Sequence, residues 1–131
     1  MTCLSRVGCG LTLATLALGC GGGPHLYAVD GAVTVAGQPV PAGMIIFEPD
    51  LSKGPDGPRG NAPIKNGRYD SRFESGSPPM AGAMRVRILG YNGRPHGELP
   101  FGDLICDHDT EIDLPARPST HDFNVPAGST G

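Results

Sequence analysis

A chain of 131 residues is one domain's length, and 21 Gly, 14 Pro, no Trp and 5% aromatics exclude long helices in favour of short elements joined by turns. The formal charge is −3, and a chain without its first 19 residues, whose one charged side chain is Arg6, keeps nine of its ten basic residues against 13 acidic ones. The basic residues are scattered, with Arg85 and Arg87 the one close pair, so nucleic acid and direct electrostatic attachment to an anionic membrane are excluded as partners.

The first segment carries Arg6 and then an uncharged, largely apolar run from Val7 to Gly19. At 13 residues this run is too short for the roughly 20 that cross a bilayer as a helix, and it has the profile of a signal peptide over 1–19. It ends in Leu16-Ala17-Leu18-Gly19-Cys20, which resembles a lipobox, the small-residue site cut before a cysteine that is acylated. The resemblance implies cleavage between Gly19 and Cys20 and lipidation of Cys20. Ala17-x-Gly19 also satisfies the small-x-small rule of an ordinary signal peptidase, which would release a soluble protein. The glycines after Cys20 favour the first outcome, because residues 20–26 then form the flexible tether that a lipid-anchored domain requires. The expected location is the cell membrane or outer membrane, on its periplasmic or outward side.

Four cysteines then make no two-disulfide framework: Cys3 and Cys9 leave with the leader, Cys20 is acylated, and Cys106 remains as a small buried hydrophobe. In a soluble form, pairing of Cys106 with Cys20 is the alternative.

From Tyr27 the pattern has period two. Val29, Gly31, Val33 and Val35 share one face of a first strand, and Gly37-Gln38-Pro39 supplies a turn. Met44 to Phe47 is a short apolar run, expected to be a strand buried on both faces and paired near the first. Residues 49–63, with four prolines and three glycines, read as a long surface loop. Gly67 to Phe73 alternates, with Tyr69, Ser71 and Phe73 inward and Arg68, Asp70 and Arg72 outward. Met84, Val86 and Ile88 oppose Arg85 and Arg87, Ile112 and Leu114 alternate with Glu111 and Asp113, and Phe123 and Val125 alternate with Asp122 and Asn124. About seven short strands with irregular loops predict an all-β, antiparallel sandwich over 27–126, with a disordered tail at 127–131.

The run Val29-x-Gly31-x-Val33-(x)3-Gly37-x-Pro39-Val40-(x)2-Gly43-x-Ile45-x-Phe47-x-Pro49, then Asn66-Gly67-Arg68-Tyr69, then Ala81-Gly82-x-x-Arg85-Val86-Arg87-Ile88, resembles the carboxypeptidase regulatory-like (transthyretin-like) domains of small planctomycete lipoproteins. Met84 stands where such domains usually carry Tyr, and residues 95–110 fall outside the resemblance. It implies an immunoglobulin-like or transthyretin-like sandwich of seven strands and no particular activity.

No nucleophile elbow, phosphate-binding loop, dinucleotide fingerprint or paired-cysteine zinc motif is present, so the chain reads as non-enzymatic and without a cofactor. The densest polar cluster is Asp103, Asp107, His108, Asp109, Glu111 and Asp113. Asp107, Asp109, Glu111 and Asp113 line one side of an extended segment, either as a solvated strand face or as oxygen ligands for Ca²⁺. Ile112 stands where an EF-hand needs its turn glycine. His96 and Glu98 lack further ligands for zinc, His25, His108 and His121 read as surface or strand-edge residues, and Ser75 and Ser77 have no base in evidence. Among the aromatics, Tyr69, Phe73, Phe101 and Phe123 are expected in the core. Tyr91, inside Gly90-Tyr91-Asn92-Gly93, abuts a turn and is the candidate anchor for a ligand or partner. The function expected is a structural or adhesive module at the cell envelope with a protein or glycan partner, or alternatively a Ca²⁺- or carbohydrate-binding module built on 103–113, or a secreted accessory domain without an anchor.

Overall fold

The computed structural model describes residues 24–129, and they contain no helix. The leader, the Gly19–Cys20 junction and most of the tether lie outside the described residues. No helix among the described residues is long and apolar enough to cross a membrane.

Among the described residues, nine strands form one all-β sheet curled into a half-barrel: β1 (Val29–Val35), β2 (Gln38–Pro39), β3 (Ala42–Pro49), β4 (Gly60–Lys65), β5 (Arg68–Asp70), β6 (Gly82–Tyr91), β7 (Leu104–Leu114), β8 (Ser119–Thr120) and β9 (Phe123–Val125). Seven of them run in the order β2-β1-β5-β4-β3-β6-β7 with antiparallel pairing, while β8 and β9 lie parallel along β1. Strand β1 changes neighbours along its length. Asp30–Ala32 pair with β5, and Thr34 and Val35 turn back onto β2 through Ala36-Gly37, both at positive φ. The same left-handed pair recurs at Asn66-Gly67 between β4 and β5, the two-residue turn whose twist matches that of antiparallel strands.

Period-two patterning puts Val29, Val33, Ile45, Phe47, Ile64, Tyr69, Met84, Val86, Ile88, Phe123 and Val125 on the concave side, where they form a single core. Its aromatic centre is Tyr69, whose ring centroid lies 6.3 Å from Phe47 and 5.7 Å from Phe123. The Tyr69 hydroxyl donates to the carbonyl of His121, tying the β8–β9 connection across the sheet. Gly31 makes that crossing possible, because a Cβ there would stand inside the same carbonyl oxygen.

Several elements differ from the expectations of the sequence. Strand β3 pairs with β4 and β6, not with β1, and is buried on one face only: Ile45 and Phe47 are sealed while Met44 and Ile46 remain half-exposed. The loop expected over 49–63 is shorter than that, because it closes at Arg59 and β4 begins at Gly60 and includes Pro63. Proline fits there because the Asn61 N–H, of the same parity, points away from β3 to the carbonyl of Ser77, so Pro63 removes no bond from the β3–β4 ladder. The strand expected through Phe73 ends at Asp70. Ser71 is buried and bonds both backbone groups of Val29, after which the chain turns and leaves Phe73 half-buried. Phe101, expected in the core, is 57% exposed. The strand expected at 111–114 is the last part of β7, which begins at Leu104. The end of the segment expected as a tail, 130–131, lies outside the described residues; before it, the carbonyl of Ser129 accepts a hydrogen bond from the Asp107 N–H.

Candidate functional site

The register fixes what shares the outer face of β4-β3-β6-β7. Lys65, Ala42, Tyr91 and Leu104 lie abreast at one end, and Glu48, Arg85 and Glu111 lie abreast toward the other. Between them Ile46, Arg87 and Asp109 form a further row. Alternation along each strand therefore makes two regions on one face, an ionic trough and an apolar slot.

The ionic trough, of about 620 Å³, has Arg85 and Arg87 on its floor with Glu48 on one side and Asp109 and Glu111 on the other. Arg87 donates to Asp107 through both Nε (2.9 Å) and a terminal nitrogen (2.7 Å), a two-pronged contact that a guanidinium makes well. That hydrogen bonding holds the Asp107 carboxyl below its ordinary range and raises Arg87. Arg59 reaches Glu48 at 2.8 Å and Lys53 reaches Glu111 at 3.2 Å. Asp50, only 3% exposed at the margin of this region, accepts from the hydroxyl and N–H of Ser52, with Arg85 and Lys53 farther away at 3.7 and 3.9 Å. The Ser52 hydroxyl is the main cause of its lowered pKa, against the opposing effect of burial.

Asp107, Asp109, Glu111 and Asp113 do share the outer face of β7, but they are not gathered around one point. Same-face residues on a strand recur about every 6.6–6.8 Å, whereas oxygens around Ca²⁺ at about 2.3–2.6 Å converge on one centre. Asp107 and Glu111 are turned to Arg87 and Lys53 instead. Among the described residues, no group of three or more His, Cys, Asp or Glu is placed to hold a metal ion.

The apolar slot, of about 630 Å³, lies at the other end of the face. Ala42 and Met44 form its floor, with Lys65 and Pro63 on the β4 side and Tyr91 with Phe101 on the β6 side. The rings of Tyr91 and Phe101 are 6.1 Å apart and tilted by 39°. Lys65 Nζ stands 5.5 Å from the centre of the Phe73 ring. Tyr91, singled out by its position beside a turn, thus lines a concave surface together with a second ring. Phe101 has the same signal, because Pro100 and Gly102 flank it, but an aromatic residue in a turn-rich stretch is read as core unless its exposure is known. Lys65 and Ala42 carry no motif at all and reach the slot only through strand pairing.

The loop from Asn92 to Asp103 that carries Phe101 is fastened. Asn92 N–H donates to the Asp103 carbonyl at 2.9 Å and Gly93 N–H to the Phe101 carbonyl at 2.9 Å, while the Asn92 side-chain oxygen accepts from the N–H groups of Arg94 and Asp103. Gly102, at φ +84°, packs so closely on that oxygen that a Cβ would overlap it. His96 lies 2.9 Å from Asp103 and so pairs there, while Glu98 is exposed.

Of the remaining sequence candidates, Cys106 is fully buried against Gly90, and burial pushes its thiol pKa up, opposed by a hydrogen bond with the Gly90 backbone. Ser75 is exposed at positive φ, Ser77 exchanges backbone bonds with Asn61, His25 is exposed, and His108 and His121 are half-buried. Cys20 lies outside the described residues. Neither a family model, nor a curated protein, nor a solved structure matches the chain.

Proposed function

We propose that this chain is an exported, non-catalytic binding module of the cell envelope, held to the membrane through acylated Cys20 and presenting the Tyr91–Phe101 slot at its far end. In this reading the curled sheet is the two-layered sandwich of carboxypeptidase regulatory-like domains, and 20–26 is its tether. The observation that carries the proposal is the polarity of the sheet. The Tyr27 N–H bonds the Pro79 carbonyl and Leu26 bridges Met80, so the chain enters beside the start of β6. The register then puts the end of β4, the start of β3 and the end of β6 together at the opposite end, where the slot lies. The seven steps from the first to the last of the eight residues of β3 separate the two ends by about 24 Å at about 3.4 Å per step.

Two measurements test the proposal. Intact mass of the membrane fraction should show a chain beginning at Cys20 with added acyl mass; an unmodified soluble species removes the anchor. A fluorophore at Phe101→Cys in the bilayer-bound protein should escape quenching by spin-labelled lipid, whereas one at Ser52→Cys, nearer the entry, is quenched. Buried Cys106 does not compete for label. Equal quenching at both positions overturns the proposed orientation.

A further inference from the structure

We infer that the slot between Lys65 and the Tyr91–Phe101 pair takes the ring of a neutral hexopyranose within an oligosaccharide. This inference rests on the distal end being the recognition surface, and it is independent of the lipid anchor. The small side chain of Ala42, between Lys65 on β4 and Tyr91 on β6, leaves a gap two strand spacings wide, about 10 Å between backbones. Its volume of about 630 Å³ falls within the range of about 300–1,000 Å³ usual for small-molecule sites.

The two walls differ in chemistry as a sugar ring does. Aromatic faces carry negative quadrupole density, and the weakly positive axial C–H groups of a pyranose complement them. Across the slot, Lys65 donates and Glu74 accepts, while Asn66 does both, which suits hydroxyl groups that are donors and acceptors at once. One cation and one anion leave the lining without net charge, which disfavours a phosphate or a uronate. A polyproline segment, the other ligand that aromatic grooves take, needs successive aromatic-lined notches, and here aromatics stand on one wall only.

The slot is also held ready. Phe101 is 57% exposed on a loop pinned by Asn92 and Gly102, so an apolar ring is kept in water by structure that prevents its collapse into the core. A ring ordered in advance loses little freedom when a ligand arrives.

The full-length chain in detergent is titrated calorimetrically with cellohexaose, maltohexaose, chitohexaose and a proline-rich decapeptide. At least one oligosaccharide should bind with Kd below about 1 mM. Phe101→Ala and Tyr91→Ala should each weaken that binding by about tenfold or more, with melting curves confirming that each variant is folded. Leu51→Ala, an exposed apolar residue in the loop after β3 at the other end, should leave binding unchanged. Absence of binding by all three oligosaccharides overturns the inference, as does binding that neither aromatic substitution weakens. Peptide binding that Phe101→Ala abolishes, without saccharide binding, overturns the ligand class while leaving the distal recognition surface standing.

Discussion

On the inner face of β6, Met84, Val86 and Ile88 are sealed against water, whereas on its outer face Arg85 and Arg87 alternate with them and meet carboxylates from β7 and from the loop after β3. The inner side chains are held by apolar burial and dense packing, with no tolerance for lost volume. The outer charges gain little from pairing, because water screens them and ordering long side chains costs entropy. One strand therefore carries two kinds of residue whose substitution has very different consequences, and the outer face is free to be shaped for binding.

The largest effect expected is on the inner face. Phe47→Ala should lower the unfolding free energy by about 3–5 kcal/mol, measured by denaturant unfolding, because the core around Tyr69 cannot close over the missing ring. A loss below about 1 kcal/mol would mean that the core is not packed as described.

Tyr69 comes next. Tyr69→Phe should cost about 1 kcal/mol by removing the hydrogen bond to His121. Burial first, and then the nearby carboxylates Asp30 and Asp122, push the Tyr69 phenol well above its ordinary pKa of 10.0. The folded state therefore keeps this proton where the unfolded state releases it, so stability is unaffected below about pH 10 and falls as pH rises above it. Tyr69→Phe should flatten that decline in an alkaline series of melts.

Outer-face effects are smaller. Phe101→Ala should change stability by no more than about 0.5 kcal/mol while weakening ligand binding, which separates the slot from the core. The smallest effect belongs to Arg87→Ala, which should leave the melting temperature nearly unchanged but raise the Asp107 pKa, followed by NMR titration. In the native chain the lowered pKa of Asp107 means that its contribution is present above the ordinary carboxylate range and is lost as pH falls through the lowered value.

Much of the fold is legible because a strand with one buried face writes itself into sequence at period two. Val29 and Val33, Met84, Val86 and Ile88, and Phe123 with Val125 all read correctly as inward. The same logic fails at β3, where an unbroken apolar run conceals that Met44 and Ile46 face the outer surface, and at Phe101, where residue type outweighs the flanking turn residues. Of the candidate site, Tyr91 is visible from its neighbours Asn92 and Gly93. Lys65 and Ala42 are not, since nothing local marks a residue whose importance is the strand beside it.

Local alternation is enough to establish that the chain is rich in strands and turns, which side of most strands is apolar, and that the acidic residues of 107–113 share a face. It does not reach the placement of β3 between β4 and β6, the meeting of Arg87 and Lys53 with that acidic row, or the pairing of half-buried Tyr91 with exposed Phe101 opposite the point of chain entry. Those facts depend on register between segments distant in sequence, which hydrogen bonding across the sheet fixes and no single segment encodes.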